Sequence, residues 1–162
     1  DELVRWLKRI NTNGWVFVTL TMRQTVWNDK DGYRYPYRLE RSRSTKNMSL
    51  FRNRLDAKVL QNQYRKQGRR LGIIPFLERK DGRYHYHAGI ERPFDREVGK
   101  DLDKFESVIR ECWEKTPFGW SNIDVRETYS DEWIGYGLKV QSGNWNELDV
   151  ENLWDPRAAK TP

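Results

Sequence analysis

The chain contains only two histidines, and they stand one residue apart, at His85 and His87, in the run ERKDGRYHYHAGIERP. Asp81-Gly82, between two strand-like stretches, is the strongest short-range signal for a β-hairpin closed by a type I′ turn. A two-residue loop fixes the register, so Lys80 faces Arg83, Arg79 faces Tyr84 and Glu78 faces His85. His87 lies two residues further on and shares the face of His85. Directly opposed Cβ atoms are about 5 Å apart. Glu78, His85 and His87 therefore converge on one sheet face, with Leu77, Tyr84 and Tyr86 on the other. Two imidazoles and a carboxylate form a partial cage with open positions. Such a cage suits a divalent cation that still holds water or a phosphate oxygen. The simpler alternative is a pair of hydrogen-bonded or solvated histidines in a half-exposed strand, with Glu78 a surface charge. Glu91, beyond Gly89 on the same face, is a fourth ligand candidate; capping, or pairing with Arg92, is its other role.

A second reactive pattern lies in GYGLK, where Tyr136 and Lys139 are three residues apart and share a face if the segment is helical. A phenol titrates near pH 10, so only about one in a thousand is ionised at neutral pH. A tyrosine nucleophile needs a nearby cation, a metal polarising its target, or both, and Lys139 offers the first. A tyrosine packed beside a solvated lysine is the alternative. Gly135 and Gly137 lower the helix propensity around Tyr136, which suits close backbone approach.

The elements that must position these groups follow from pattern. Residues 1–10 form an amphipathic helix. WVFVTLTM (15–22) is a strand, with Val16, Val18, Leu20 and Met22 on one face and Phe17, Thr19 and Thr21 on the other. NDKDG is turn-like, and Pro36 reduces YRYPYRLE to an edge strand or loop. Met48, Phe51, Leu55 and Val59 mark a long helix from about Ser44 to Gln67, ended by Gly68. LGIIPFLE and GRYHYHAGIE are strands. FDREVGKDLDKFESVIRECWEKT is a second long helix, with Val98, Leu102, Phe105, Ile109 and Trp113 inward. SNIDVRET is a strand, SDEWIGYGLKV a final helix N-capped by Ser130, and 141–162 an irregular tail. Without the 23–43 excursion the order is β-α-β-β-α-β. That order is the ferredoxin-like split βαβ arrangement of the α+β class. It is an antiparallel sheet with helices on one face and an open face for an active site.

The length of 162 residues suits one domain, with a core at about 15–140. Thirty Lys and Arg against 24 Asp and Glu favour a polyanionic partner. No apolar run reaches the roughly 18 residues of a membrane span, and the start lacks the pattern of a signal peptide. A single cysteine, Cys112, excludes an internal disulfide or a Cys-rich metal site and fits a reducing compartment. The 22 aromatics (8 Trp, 8 Tyr, 6 Phe) are abundant; many are core, a surplus would suit stacking on unpaired bases, and composition does not separate the two.

FVTLTM (17–22), HYHAGIE (85–91) and YGLK (136–139), in that order, resemble the three motifs of HUH endonucleases. The likeness is greatest to the nuclease domain of rolling-circle replication initiators, the Rep proteins, and spans about residues 15–140. The resemblance implies that His85 and His87, with Glu78, hold one Mg²⁺ or Mn²⁺. It implies that Tyr136 attacks a scissile phosphate of single-stranded DNA, leaving a 5′-phosphotyrosyl link and a free 3′-hydroxyl. Lys139 would neutralise groups near that phosphate, and the reverse reaction would religate the strand. Tyr86 between the histidines departs from the usual hydrophobic residue. Tyr129, seven residues before Tyr136, is too far for the spacing of two-tyrosine relatives, so one nucleophile is expected.

The implied partner is a single-stranded DNA origin, as hairpin or nick site, with a helicase or host replication proteins acting alongside. No Walker motif places a helicase within these residues. The implied setting is a bacterial cytoplasm or, for a eukaryotic virus, the nucleus, with this domain a monomer and no membrane partner. Phe17, Thr19, Thr21, Arg41, Arg43, Lys46, Arg69 and Arg70 are candidate DNA contacts, the basic ones through phosphates. A Y1-type transposase of the same superfamily, working as an intertwined dimer, and a non-catalytic ferredoxin-like nucleic-acid binder are the competing readings.

Overall fold

Alternation at period two builds the centre of the molecule. In the computed structural model, which describes residues 2–128, 132–137 and 145–156, β1 (Val16–Met22) buries every second side chain. It pairs antiparallel with β5 (Arg83–Ile90) on one side and β6 (Gly119–Glu127) on the other. β5 pairs with β4 (Ile73–Lys80), giving the strand order β6-β1-β5-β4 of a ferredoxin-like fold, extended by β7 (Trp145–Leu148) beyond β4. The expected α+β antiparallel sheet is present.

Helices α2 (Arg41–Leu60) and α5 (Leu102–Glu114) cover one face. Met48, Phe51, Leu55 and Val59 from the first and Phe105, Ile109 and Trp113 from the second pack on Val18, Leu20, Tyr86 and Ala88. Both long helices expected from periodicity are interrupted. The first breaks at Gln61, whose φ is 51°, before the short α3 (Asn62–Gln67). There Arg96 Nε donates to the carbonyl of Val59 at 3.3 Å, a tertiary bond that a periodic stripe does not reveal. The second breaks at Asp101 between α4 (Glu97–Lys100) and α5. The Asp101 carboxylate accepts from the Lys104 amide at 3.1 Å and restarts the helix as its N-cap.

Two expectations need correction. The 23–43 excursion is a complete hairpin, β2 (Thr25–Lys30) with β3 (Tyr33–Arg38), forming its own two-stranded sheet. Asp31-Gly32 closes it with both φ angles positive, at 53° and 77°, a turn like Asp81-Gly82. The described part of the tail, 145–156, is not irregular: β7 pairs with β4, and Trp154 bridges Ile73. A buried polar network ties it down. Tyr86 Oη donates to Asp149 (2.7 Å), Asn152 Nδ2 donates to Asp149 (2.8 Å) and Ser49 Oγ donates to Asn152 (2.7 Å).

The second sheet face is open only in part. Leu7 of α1 (Glu2–Arg9), Ile10, Trp15, Ile74, Phe76 and, from α6 (Glu132–Gly137), Trp133 and Ile134 form a smaller core over one end of it. The uncovered end carries Glu78, His85, Thr19 and Thr21. No helix among the described residues is long and apolar enough to cross a membrane.

Asp56 of α2, only 1% exposed, holds the start of β4 by accepting from the Leu71 amide at 2.9 Å. Arg70 Nε lies 3.1 Å from its other oxygen. Burial pushes this carboxyl up to about 6, against the Leu71 hydrogen bond and the charges of Arg70 and Arg52, with Glu91 adding to the rise. The folded-state value lies above the unfolded one, so the stabilisation is complete below about pH 4 and lost as pH rises through about 6. Relative to Asp56→Asn, the wild-type chain should therefore gain roughly 2–3 kcal/mol of stability between about pH 7 and about pH 4. Denaturant midpoints of the two proteins across that range check this, and a constant difference would show Asp56 to stay ionised.

Candidate metal centre

The β4–β5 hairpin has the register that the Asp-Gly turn requires: Lys80↔Arg83, Arg79↔Tyr84, Glu78↔His85. Asp81 and Gly82 have φ of 50° and 75°, both on the positive side that a type I′ turn demands. Across β1, Thr21 is level with His85 and Thr19 with His87. Three adjacent strands thus deliver their alternate side chains to one patch.

Glu78, His85 and His87 each turn one ligand atom into that patch, all within 4.8 Å of one another. Glu78 Oε2 is shared. It pairs with His85 Nε2 and lies 3.1 Å from His87 Nε2, and the two Nε2 atoms are 3.2 Å apart. Two ligand atoms about 2.1 Å from a common ion sit roughly 3.0–3.4 Å apart at octahedral to tetrahedral angles, so this donor set could hold a metal ion. The imidazole rings stand at 85°, presenting two nitrogens to one point without stacking.

His87 is oriented from behind. Its Nδ1 is 3.2 Å from Thr19 Oγ1, and Phe17 stacks on its ring at 5.8 Å and 9°. If Nδ1–H donates to the threonine, the Nε2 lone pair is left toward Glu78, free for an ion between them, the arrangement ligating histidines use. Burial lowers the His85 value, with the Glu78 carboxylate opposing and the His87 ring adding to the drop. That direction favours the neutral imidazole, the form in which a histidine ligates a metal. Glu91 is not part of the group: its carboxylate accepts from the Gly72 amide at 2.7 Å.

Around the three donors lies a cavity of about 650 Å³, lined also by Gln24, Lys80, Arg83, Trp120 and Asn122. Sequence reasoning singled out none of these five. A half-exposed tryptophan on an edge strand and a glutamine between two strands carry no spacing signal.

The remaining expected residues divide. Thr19 supports His87, and Thr21 donates to the Asn122 carbonyl at 2.5 Å. Phe17 lies between His87 and Trp133 rather than open to a base. Arg69 pairs with Asp95 and Arg70 with Asp56 at the end of β4 away from Glu78. Arg41 pairs with Glu147, and Arg43 lies 3.7 Å over the Tyr37 ring. Lys46 is exposed on α2. Tyr136 belongs to α6, and its side chain lies outside the described residues, as do Lys139, Tyr129 and Ser130. Tyr86, fully buried and donating to Asp149, is structural. Burial and the neighbouring carboxylate hold its phenol well above the ordinary value.

Helix α6 reaches the metal-site face through Trp133, whose ring meets Phe17 at 5.7 Å and Phe76 at 6.3 Å. Its six-membered ring lies close against Gly89, two residues from His87. A Cβ at position 89 would fall 2.2 Å from the indole. Fold and site together define an α+β sheet protein with a Glu-His-His group on its partly open face. No protein-family model matches the chain, nor does any curated protein or solved structure.

Two outcomes are expected. A divalent cation should bind once per chain in calorimetry. Glu78→Gln or His87→Ala should remove the heat, and Thr19→Val should lower affinity about tenfold through the lost orientation. Gly89→Ala should cost about 1–3 kcal/mol by overpacking. In a Trp133→Ala background the same change should cost far less, a non-additivity read from denaturant unfolding.

Proposed function

We propose that the protein is a metal-dependent, sequence-specific single-strand DNA endonuclease and strand transferase of the HUH type, initiating rolling-circle replication. The observation that carries this reading is the Glu78–His85–His87 group on the uncovered end of the sheet, with the helix containing Tyr136 docked on the same face. The order of the three motifs along the chain supports it further.

Nε2 of His85, Nε2 of His87 and a carboxylate oxygen of Glu78 would hold one Mn²⁺ or Mg²⁺. When bound, the ion would neutralise and polarise the scissile phosphate. The phenol oxygen of Tyr136 attacks phosphorus. The P–O3′ bond breaks as the P–O(Tyr) bond forms, and the phenol proton ends on the departing 3′-oxygen. The 5′-phosphate stays on the protein, and attack by a 3′-hydroxyl reverses the step. Lys139 lowers the cost of the phenolate. Thr19 and Phe17 fix the ring of His87 throughout. The substrate is an origin strand exposed as a hairpin or nick site, with a helicase and host replication proteins as downstream partners, in a bacterial cytoplasm or a eukaryotic nucleus.

Incubation with single-stranded origin oligonucleotides and Mn²⁺ should give a covalent adduct that survives denaturing electrophoresis. Tyr136→Phe should abolish it, EDTA should prevent it, and His87→Ala should reduce it by at least about a hundredfold. An undiminished adduct in the Tyr136→Phe protein would assign the nucleophile elsewhere, with Tyr129 next. A chain that binds the strands but never forms an adduct would be a non-catalytic binder.

A further inference from the structure

The β2–β3 ribbon takes no part in the chemistry above, yet it carries the most exposed aromatic surface among the described residues. Tyr33 is 79% exposed, Trp27 55% and Tyr35 41%. Register divides them between faces. Tyr33, Tyr35 and Tyr37 fall on one face, opposite Lys30, Asn28 and Val26, and Trp27 falls on the other, opposite Pro36. The root is anchored: Tyr37 stacks on Phe118 at 5.8 Å, and Val26 packs on the main core. Further out, Tyr35 and Tyr33 stand clear at alternate positions, about 7 Å apart along the strand.

Cross-strand aromatic pairs often stabilise a lone hairpin. None of the three exposed rings has one, because each faces a non-aromatic residue. Packing does not account for them, and leaving large rings in water is unfavourable. Cations outnumber anions around them by Lys30, Arg34 and Arg38 to Asp29 and Asp31, with Lys30 on the tyrosine face. Arg34 lies 5.2 Å over the Trp27 ring, and Lys30, Arg34 and Arg38 form no ion pair among the described residues. The root also sits at the metal end of the sheet. Gln24 donates to the Tyr84 carbonyl and accepts from the Tyr84 amide, both at 2.8 Å, one residue from His85. It lines the same cavity as Glu78 and His87.

We infer that this ribbon is a stacking platform for unpaired DNA bases, holding the strand that leads into the metal-site cavity. Every base has a π-face, so alternate rings grip a single strand regardless of sequence, and the flanking cations take its phosphates. The inference rests on the strand-cleavage reading for the identity of its partner, but its test needs no cleavage and no metal.

Fluorescence anisotropy of a labelled oligo(dT) strand in EDTA should show binding by the wild-type chain that weakens with salt. Tyr33→Ala and Tyr35→Ala, which share one face of the ribbon, should each weaken it about tenfold or more. Tyr33→Phe should retain it. The matching blunt duplex should bind more weakly and respond little to the same variants. Tyr33 is so exposed that its replacement leaves the fold intact, which equal thermal midpoints would verify. Alanine variants within twofold of wild type, failure of oligo(dT) to bind, or equal losses on duplex would each overturn the platform. Retained ribbon-dependent binding with no adduct under any condition would instead sink the cleavage reading and leave the platform standing.

Discussion

One carboxylate oxygen of Glu78 serves two imidazoles, and the rest of the site depends on that convergence. It exists because the Asp81-Gly82 turn allows a single register. A slip of one residue would send Glu78 to the helical face of the sheet, among Leu77 and Tyr86, and dissolve the group. Three polar side chains drawn partly out of water need one another, yet two imidazoles that both become cations would repel at 3.2 Å. A divalent ion would resolve that tension better than protons do. It would satisfy the carboxylate and both nitrogen lone pairs of a group whose ligand atoms lie within 4.8 Å of one another.

The second constraint is the boundary between covered and uncovered sheet. Phe17, Phe76 and Gly89 lie under the smaller core, and Thr19, Glu78 and His87 lie one alternate position further along the same three strands. Phe17 touches both sides, stacked on His87 and packed on Trp133. The orientation of a candidate ligand and the seating of α6 are thereby parts of one packing problem. Gly89 matters because only a residue without a Cβ lets the indole approach the strand. Close packing transmits small displacements, so a shift in α6 would reach the His87 ring.

The sequence made the donor group legible to the level of individual pairs, because a two-residue turn and a period of two leave no freedom. The four core strands and the inward stripes of both helices were legible for the same kind of reason. What was hidden depended on contacts distant in sequence. Arg96 meeting Val59 at a helix end is one such contact. Asp149 and Asn152 read as a polar tail because their burial comes from Tyr86, Ser49 and Thr45, which the fold brings to them. β2 was masked by Asn28 and Asp29, poor strand formers that a Gly-closed hairpin tolerates. Phe17 was assigned to an open face because the helix covering it could not be placed from pattern alone.

The two sheets manage their edges in different ways, and the contrast bears on what the exposed surface is for. In the main sheet, β7 covers the free edge of β4, and Arg110 of α5 donates to the carbonyls of Ser121 (2.8 Å) and Ile123 (3.2 Å) on β6. The β6 edge is thus partly satisfied and the other edge is reduced to a strand of 4 residues, both of which disfavour strand-to-strand aggregation. The ribbon has no such cover. It relies on Pro36, which removes a donor, and on the charges of Asp29, Lys30 and Arg34. These devices keep other strands away while leaving Trp27, Tyr33 and Tyr35 in water. A hairpin defended against backbone pairing but supplied with unshielded rings is suited to partners that dock by their faces rather than their edges, and unpaired bases dock that way.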